Sequence, residues 1–138
     1  MEAKVEFEDD DGRMVRYTHH TNGGGLVSVH ARVHEGATLA PTAYVDAGAR
    51  VGDRSRVGSG SWLDEDVVVG EDVVVGSNVH LGPRTHAQDR AWIGSGARVG
   101  ADVVITRGAL VEPDAVVPDG AVVPRRVGAR RRELGVAA

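Results

Sequence analysis

The chain has 138 residues, enough for one domain with a sizeable core, and its net charge of −4 gives no global signal for nucleic-acid binding. It contains no cysteine, which excludes disulfides, thiolate metal sites and a cysteine nucleophile. No stretch is apolar for long enough to span a membrane, and the acidic N-terminus is unlike a secretory signal. We therefore expect a cytoplasmic protein without nucleic-acid or membrane partners.

Residues 1–25 predict a hairpin followed by a link. The segments from Lys4 to Phe7 and from Met14 to Tyr17 flank an Asp-Gly sequence that is typical of a tight turn. We expect the hairpin to cover the first strand edges of the domain that follows. Residues 21–25 then form a flexible link.

Residues 26–124 carry a six-residue repeat. Stepping by six from Val27 meets seventeen positions, all Val, Leu or Ile except Ala87, and the residue two before each, from Ala31 on, is Ala, Ser, Thr or Val. An α-helix cannot keep a strict six-residue period on one face, whereas residues two apart in a strand point the same way. Each hexad is therefore predicted to be one short strand and one corner. Residues that tolerate left-handed backbone angles mark the corners: Gly36, Asp66, Asp72, Asn78 and Gly96.

This pattern, from Val27 to Val123, resembles the hexapeptide-repeat superfamily. The resemblance implies an all-β fold, a single-stranded left-handed parallel β-helix of about six triangular coils with three hexads per coil. It also implies a homotrimer with clefts between neighbouring prisms. Residues 125–138 form an Arg-rich tail that is predicted to be a short helix from Ala129 to Leu134 or to lack regular structure.

Residues eighteen apart stack in such a β-helix, so the outer faces can be read from the sequence. The first face shows Tyr44, Trp62, His80, Arg98 and Val116. The second face shows Arg32, Arg50, Val68, His86, Val104 and Val122. The third face shows Thr38, Arg56, Val74, Trp92 and Leu110. From Val68 onward seven of ten outward positions are apolar, which favours burial in an oligomer, although valine also suits any strand.

Two histidines are candidate general bases. His80 and His86 are predicted at the centres of adjacent faces of one coil, where an imidazole can exchange a proton near neutral pH. A surface role for either remains the alternative. The other histidines are expected to be structural or solvated: His19, His20, His30 and His34.

The segment from Leu81 to Gly94 resembles the γ-class carbonic anhydrases locally. Gln88 and Asp89 match the Gln-Asp pair of that family, but Gly94 stands at the position of a zinc-binding histidine. Because no later histidine follows, the family's three zinc ligands cannot be assembled, and we expect no metal. A zinc site from His80 and His86 of neighbouring subunits is left as an alternative.

The segment from Ala91 to Gly100 resembles the last coils of the sugar acetyltransferases of this superfamily, with Gly96 at the position of their catalytic histidine. The resemblance implies acyl transfer from coenzyme A or a carrier protein to a small hydroxyl or amine acceptor. His80 or His86 would act as the base. The residues assigned to the coenzyme are Arg98, Arg125 and Arg126. The residues assigned to the small-molecule substrate are Tyr44, Trp62, Gln88, Asp89 and Trp92.

Two alternatives to an enzyme remain open. One is a non-catalytic trimeric binding or scaffold protein. The other is a carbonic-anhydrase-like protein that lacks its zinc ligands. Both follow from the glycines Gly94 and Gly96, which stand where the two enzyme families carry reacting or ligating histidines.

Overall fold

The computed structural model describes residues 4–8 and 11–125, and its chain begins with an antiparallel hairpin. Strand β1 is Lys4–Glu8 and strand β2 is Met14–His19. Strand β3, Leu26–Ser28, pairs antiparallel with β2 and starts the repeat. The predicted hairpin is confirmed, and β2 runs two residues further than predicted because its end is held against β3.

Two-residue strands follow at six-residue intervals along the rest of the described chain. They are β4 Arg32–Val33, β5 Thr38–Leu39, β6 Tyr44–Val45, β7 Arg50–Val51, β8 Arg56–Val57, β9 Trp62–Leu63, β10 Val68–Val69, β11 Val74–Val75, β12 His80–Leu81, β13 His86–Ala87, β14 Trp92–Ile93, β15 Arg98–Val99, β16 Val104–Ile105, β17 Leu110–Val111, β18 Val116–Val117 and β19 Val122–Val123.

These strands stack in parallel in three sheets, and the antiparallel hairpin extends the first of them. The first sheet has the order β1-β2-β3-β6-β9-β12-β15-β18, the second β19-β16-β13-β10-β7-β4 and the third β17-β14-β11-β8-β5. Strands three apart in the chain pair in register, so residues eighteen apart lie on one another, as Val69, Ala87 and Ile105 do. Seventeen repeat strands at three per coil give between five and six coils. The predicted parallel β-helix is confirmed.

The core is a column of side chains from the second position of the strands and from the residue just before each strand. Its largest fully buried members include Leu39, Leu63, Leu81, Ile93 and Ile105. Ala87, the exception in the repeat, is also fully buried. The buried hydroxyl of Ser55 donates to the Gly70 carbonyl at 2.6 Å and accepts from the Val73 amide at 3.0 Å, so its polar atom is satisfied.

The corners use the left-handed backbone region. Every residue three positions after an inward aliphatic residue, from Gly48 to Gly120, has a positive φ. Asp66, Asp72, Asn78 and Gly96 fulfil the prediction, at φ values between 56° and 79°.

Gly36 is a correction to the predicted corners, because its φ is not in the left-handed region. A Cβ atom at Gly36 would overlap the carboxylate of Asp53 from the next coil. Glycine therefore leaves room for the Asp53 carboxylate, and a larger residue would have to displace that side chain.

Arginine also occupies left-handed corners, which the sequence pattern did not indicate. Arg54 and Arg84 have φ values of 60° and 63°. Each guanidinium reaches the aspartate eighteen residues later through two hydrogen bonds, from Arg54 to Asp72 at 2.9 and 3.0 Å and from Arg84 to Asp102 at 2.8 and 3.1 Å. These hydrogen bonds lower the pKa of both aspartates. The bidentate ion pairs link consecutive coils along the outside of the corners.

The hairpin is anchored on the first sheet by an aromatic contact. Tyr17 of β2 is only 3% exposed, and its ring stacks on Tyr44 with centroids 4.8 Å apart. At the other end, the predicted tail helix from 129 to 134 lies outside the described residues. Among residues 4–8 and 11–125, no helix is long and apolar enough to cross a membrane.

Candidate active site on the first sheet

Trp62, His80 and Arg98 lie in register on three successive coils of the first sheet. Each is the first residue of its strand and points outward because the next residue fills the core. The indole of Trp62 stacks on the imidazole of His80, with centroids 4.2 Å apart and planes inclined by 15°. This contact fixes the plane of the imidazole, and Arg98 follows on the next coil.

Asp64 provides the partner of the His80 ring. His80 Nε2 lies 3.1 Å from Asp64 Oδ2, and the Asp64 side chain is only 17% exposed. The other carboxylate oxygen of Asp64 accepts from the Glu65 amide at 2.8 Å. Because a carboxylate accepts hydrogen bonds, a neutral imidazole at this position donates from Nε2, which leaves the lone pair on Nδ1.

Asp46 holds the indole of Trp62 in the same way, one coil earlier. Its Oδ2 accepts from Trp62 Nε1 at 2.7 Å, and its Oδ1 accepts from the hydroxyl of Tyr17. Burial, and secondly this hydrogen bond, raise the pKa of Tyr17, while burial raises the pKa of Tyr44. Both phenols therefore stay protonated at neutral pH, and Tyr17 serves as a donor. The hairpin is thereby connected through Asp46 to the ring that covers His80.

A groove of about 410 Å³ runs beside His80 toward the last coils. Its lining includes His80, Gly82, Pro83, Arg98, Val116 and Pro118. We call it the His80 groove. Its walls combine one imidazole, one guanidinium and the carboxylate of Asp119 with apolar surface, and Asp119 Oδ1 accepts from the Ala101 amide at 2.9 Å. Arg98 leaves a place for a ligand that has an apolar stem and an anionic part.

The structure brings four of the predicted site residues together on one face: Tyr44, Trp62, His80 and Arg98. Asp46 and Asp64 were missed by sequence reasoning. The available signal was their position, since each stands two residues after an aromatic outward residue and eighteen residues from the other. Residues two apart in an extended chain point to the same side, so each aspartate lies on the outer face of its coil. There it can contact the outward residue of the next coil, as Asp46 contacts Trp62 and Asp64 contacts His80.

The remaining predicted residues lie elsewhere on the prism. His86 is on the second sheet between Val68 and Val104, and Trp92 is on the third sheet. Gln88 Oε1 accepts from the Arg107 amide at 3.1 Å, and Asp89 Oδ1 accepts from the Glu71 amide at 2.9 Å. Those two side chains thus join consecutive coils.

The predicted coenzyme residues at the end of the repeat fall at the limit of the described chain. The Arg125 side chain lies beside the Gly108 corner, and Arg126 is outside the described residues. Within residues 4–8 and 11–125, His, Asp and Glu side chains do not gather in any group of three or more that could hold a metal ion.

Comparison with protein-family models gives no match, and comparison with curated protein sequences gives none. Among solved structures, PerB from Caulobacter crescentus in complex with CoA and GDP-perosamine is similar, with a TM-score of 0.71 and 26% identity over 72% of this chain and 48% of that one. The acetyltransferase domain of PglB from Neisseria gonorrhoeae has a TM-score of 0.70 and 23% identity over 75% of this chain and 51% of that one. This chain therefore spans about half the length of each.

A third similar structure is a hexapeptide transferase family protein from Anaplasma phagocytophilum, with a TM-score of 0.50 and 18% identity over 70% of both chains. These neighbours share the fold, and the uninterrupted six-residue repeat stacked in three sheets defines the class. The chain is a hexapeptide-repeat β-helix protein.

Proposed function

We propose that this protein transfers an acyl group from a coenzyme A thioester to a small hydroxyl or amine acceptor, with His80 as the general base. The observation that carries the proposal is the pair of His80 and Asp64, 3.1 Å apart, at the edge of a groove that also contains Arg98. The likeness to PerB, a structure solved with CoA, supports the same class of donor.

In the proposed reaction, His80 Nδ1 takes the proton of the acceptor hydroxyl or amine as the acceptor atom attacks the thioester carbonyl. Asp64 stabilises the imidazolium through Nε2 and keeps the ring in the correct tautomer. The tetrahedral intermediate then expels the coenzyme A thiolate, which takes the proton from Nδ1. The bond from the carbonyl carbon to sulfur is broken, and the new ester or amide bond is formed.

Arg98 is proposed to hold a phosphate of the coenzyme in the His80 groove, which it lines. Arg125 and Arg126 are proposed to extend that contact. Tyr44 and Trp62, which precede His80 on the same face, are proposed to contact the acceptor. His86, Gln88, Asp89 and Trp92 could join this site only from another subunit, because they lie on other faces or at corners of the prism.

Coenzyme A binding is expected to raise the melting temperature of the protein, because a ligand that binds only the folded state stabilises it by about 2.7 kcal/mol at a concentration of 100 Kd. Arg98→Gln should reduce the shift measured with acetyl-coenzyme A. The matched control is Arg56→Gln, another exposed outward arginine, which lies on the third sheet. No shift for the wild type at about 1 mM acetyl-coenzyme A would exclude this donor and favour the binding or scaffold alternative.

We further propose that the protein is a homotrimer. Several outward apolar side chains are exposed in the single chain, among them Trp92 at 44%, Val116 at 76% and Val122 at 64%. Apolar surface of this kind is usually covered by a partner in soluble proteins.

Light scattering is expected to give about three times the chain mass of 14.5 kDa. Trp92→Glu should weaken assembly because a charge would be desolvated at the interface. Ser59→Glu, at an exposed corner, is the control and should leave the mass unchanged. A wild type that is monomeric at micromolar concentration would contradict the trimer.

A further inference from the structure

We propose a second ligand site, an oxyanion site that binds a phosphate group between Arg32 and Arg50 at the hairpin end of the prism. The two arginines belong to β4 and β7, which pair in parallel with Arg32 in register with Arg50. Strands in one sheet are about 4.8 Å apart, so the two guanidinium groups leave the surface side by side. The proposal is independent of acyl transfer, because these strands lie on the second sheet and His80 lies on the first.

Two like charges directly opposite each other on neighbouring strands are destabilising unless an anion lies between them. Both side chains are exposed, and neither forms a salt bridge with another described residue. At the other strand positions of the described repeat, arginines of neighbouring coils are not stacked in this way. Arg56 lies between Thr38 and Val74, and Arg98 lies between His80 and Val116.

The two arginines open into a groove of about 740 Å³, which we call the basic groove. The hairpin supplies one wall of this groove through His19 and His20. Both rings are held in place, since His19 Nδ1 lies 2.9 Å from the Gly24 carbonyl oxygen and His20 Nε2 lies 2.8 Å from the Ala37 carbonyl oxygen. The wall is therefore formed before any ligand arrives, which lowers the entropic cost of binding.

The carboxylates that line the basic groove do not neutralise the arginine pair. Asp53 and Glu71 each pair with Arg54, at 2.9 and 3.4 Å. Asp53 also lies 3.3 Å from His34 Nδ1. The part of the groove next to Arg32 and Arg50 therefore keeps its positive charge.

The spacing of the two side chains favours phosphate over carboxylate. One guanidinium satisfies both oxygens of a carboxylate with a single bidentate contact, and the second guanidinium would then stay unpaired. A phosphate group has three or four oxygens arranged as a tetrahedron, so two adjacent forks can bind it at once. Phosphate also carries enough negative charge to offset both arginines at neutral pH.

The test is calorimetric titration of the full chain at constant ionic strength with inorganic phosphate, a phosphate ester such as ribose 5-phosphate, and malonate as the dicarboxylate. Phosphate or its ester should bind, and Arg32→Gln and Arg50→Gln should each weaken that binding about tenfold or more, as expected for the loss of charged hydrogen bonds. Arg56→Gln should bind like the wild type. Tighter binding of inorganic phosphate would identify a phosphate ion as the ligand, and tighter binding of the ester would identify a phosphorylated molecule; both support the site.

Three results would overturn the proposal. The first is no heat of binding with either phosphate probe at about 10 mM. The second is malonate binding as tightly as the phosphate probes or more tightly, and the third is a loss of phosphate binding in Arg56→Gln equal to that in Arg32→Gln and Arg50→Gln. Folding can be checked separately. Arg50→Gln removes a like-charge contact from an exposed position, so its melting temperature without ligand should be no lower than that of the wild type. Loss of phosphate binding with an unchanged melting temperature therefore reports on the site and not on the fold.

Discussion

Replacing His80 by glutamine is expected to reduce acyl transfer about a hundredfold or more, the usual effect of losing a general base. Glutamine keeps a polar side chain beside Trp62 and Asp64 but cannot accept and release the proton. The measurement is kcat with acetyl-coenzyme A and an accepting amine or alcohol, read from the release of free thiol. The coenzyme-induced melting shift should survive, because the donor contacts assigned to Arg98 do not include the base.

Asp64→Asn is the companion variant. An asparagine amide can donate to His80 Nε2, which favours the tautomer with the proton on Nδ1 and blocks its action as a base. We expect kcat to fall while the KM for the donor changes little, and the pH profile of kcat to change.

The His86→Gln variant decides which of the two histidines, His80 or His86, is the general base. If it costs more activity than His80→Gln, the base is His86 and the first-sheet site is wrong.

The second large effect concerns the core. Val57→Lys is expected to unfold the protein or to lower its free energy of unfolding by several kcal/mol, because an unpaired ammonium would be buried. Val57 is 2% exposed and lies in β8 between two coils, far from any counter-charge inside the aliphatic column. At about 2–5 °C per kcal/mol for a domain of this size, the melting temperature should fall by roughly 10 °C or more.

Ser59→Lys is the matched control for that measurement. Ser59 lies two residues further along, at an exposed corner, where a lysine reaches solvent without displacing core atoms. Thermal unfolding monitored by circular dichroism should give nearly the wild-type melting temperature. Equal destabilisation by the two lysines would mean that the assigned inward and outward directions are incorrect.

The candidate site depends on the hairpin as well as on the repeat. Tyr17 donates to Asp46, Asp46 accepts from Trp62, and Trp62 stacks on His80. Three consecutive contacts thus connect the N-terminal segment to the proposed base. Because the indole fixes the plane of the imidazole, the direction in which Nδ1 points is set partly by a strand outside the repeat.

The sequence by itself determined the strands, their inward and outward sides and their stacking. A strict period of six combined with three strands per coil places residues eighteen apart on one another, so Tyr44, Trp62, His80 and Arg98 could be assigned to one face without coordinates. The same arithmetic placed Arg32 beside Arg50. Backbone geometry alone determines which residues share an outer face, because successive side chains of a strand point to opposite sides and equivalent strands stack in register.

Only the tertiary structure decided which side chains on a face touch. The bond from Asp64 to His80 joins different coils and depends on side-chain rotamers, which no repeat period specifies. The contact of Tyr17 with Asp46 spans 29 residues and depends on how the hairpin docks. The left-handed corners at Arg54 and Arg84 are similar, since each guanidinium pairs with an aspartate of the next coil. Local sequence determines where a residue lies in this fold, and packing between coils determines its partner.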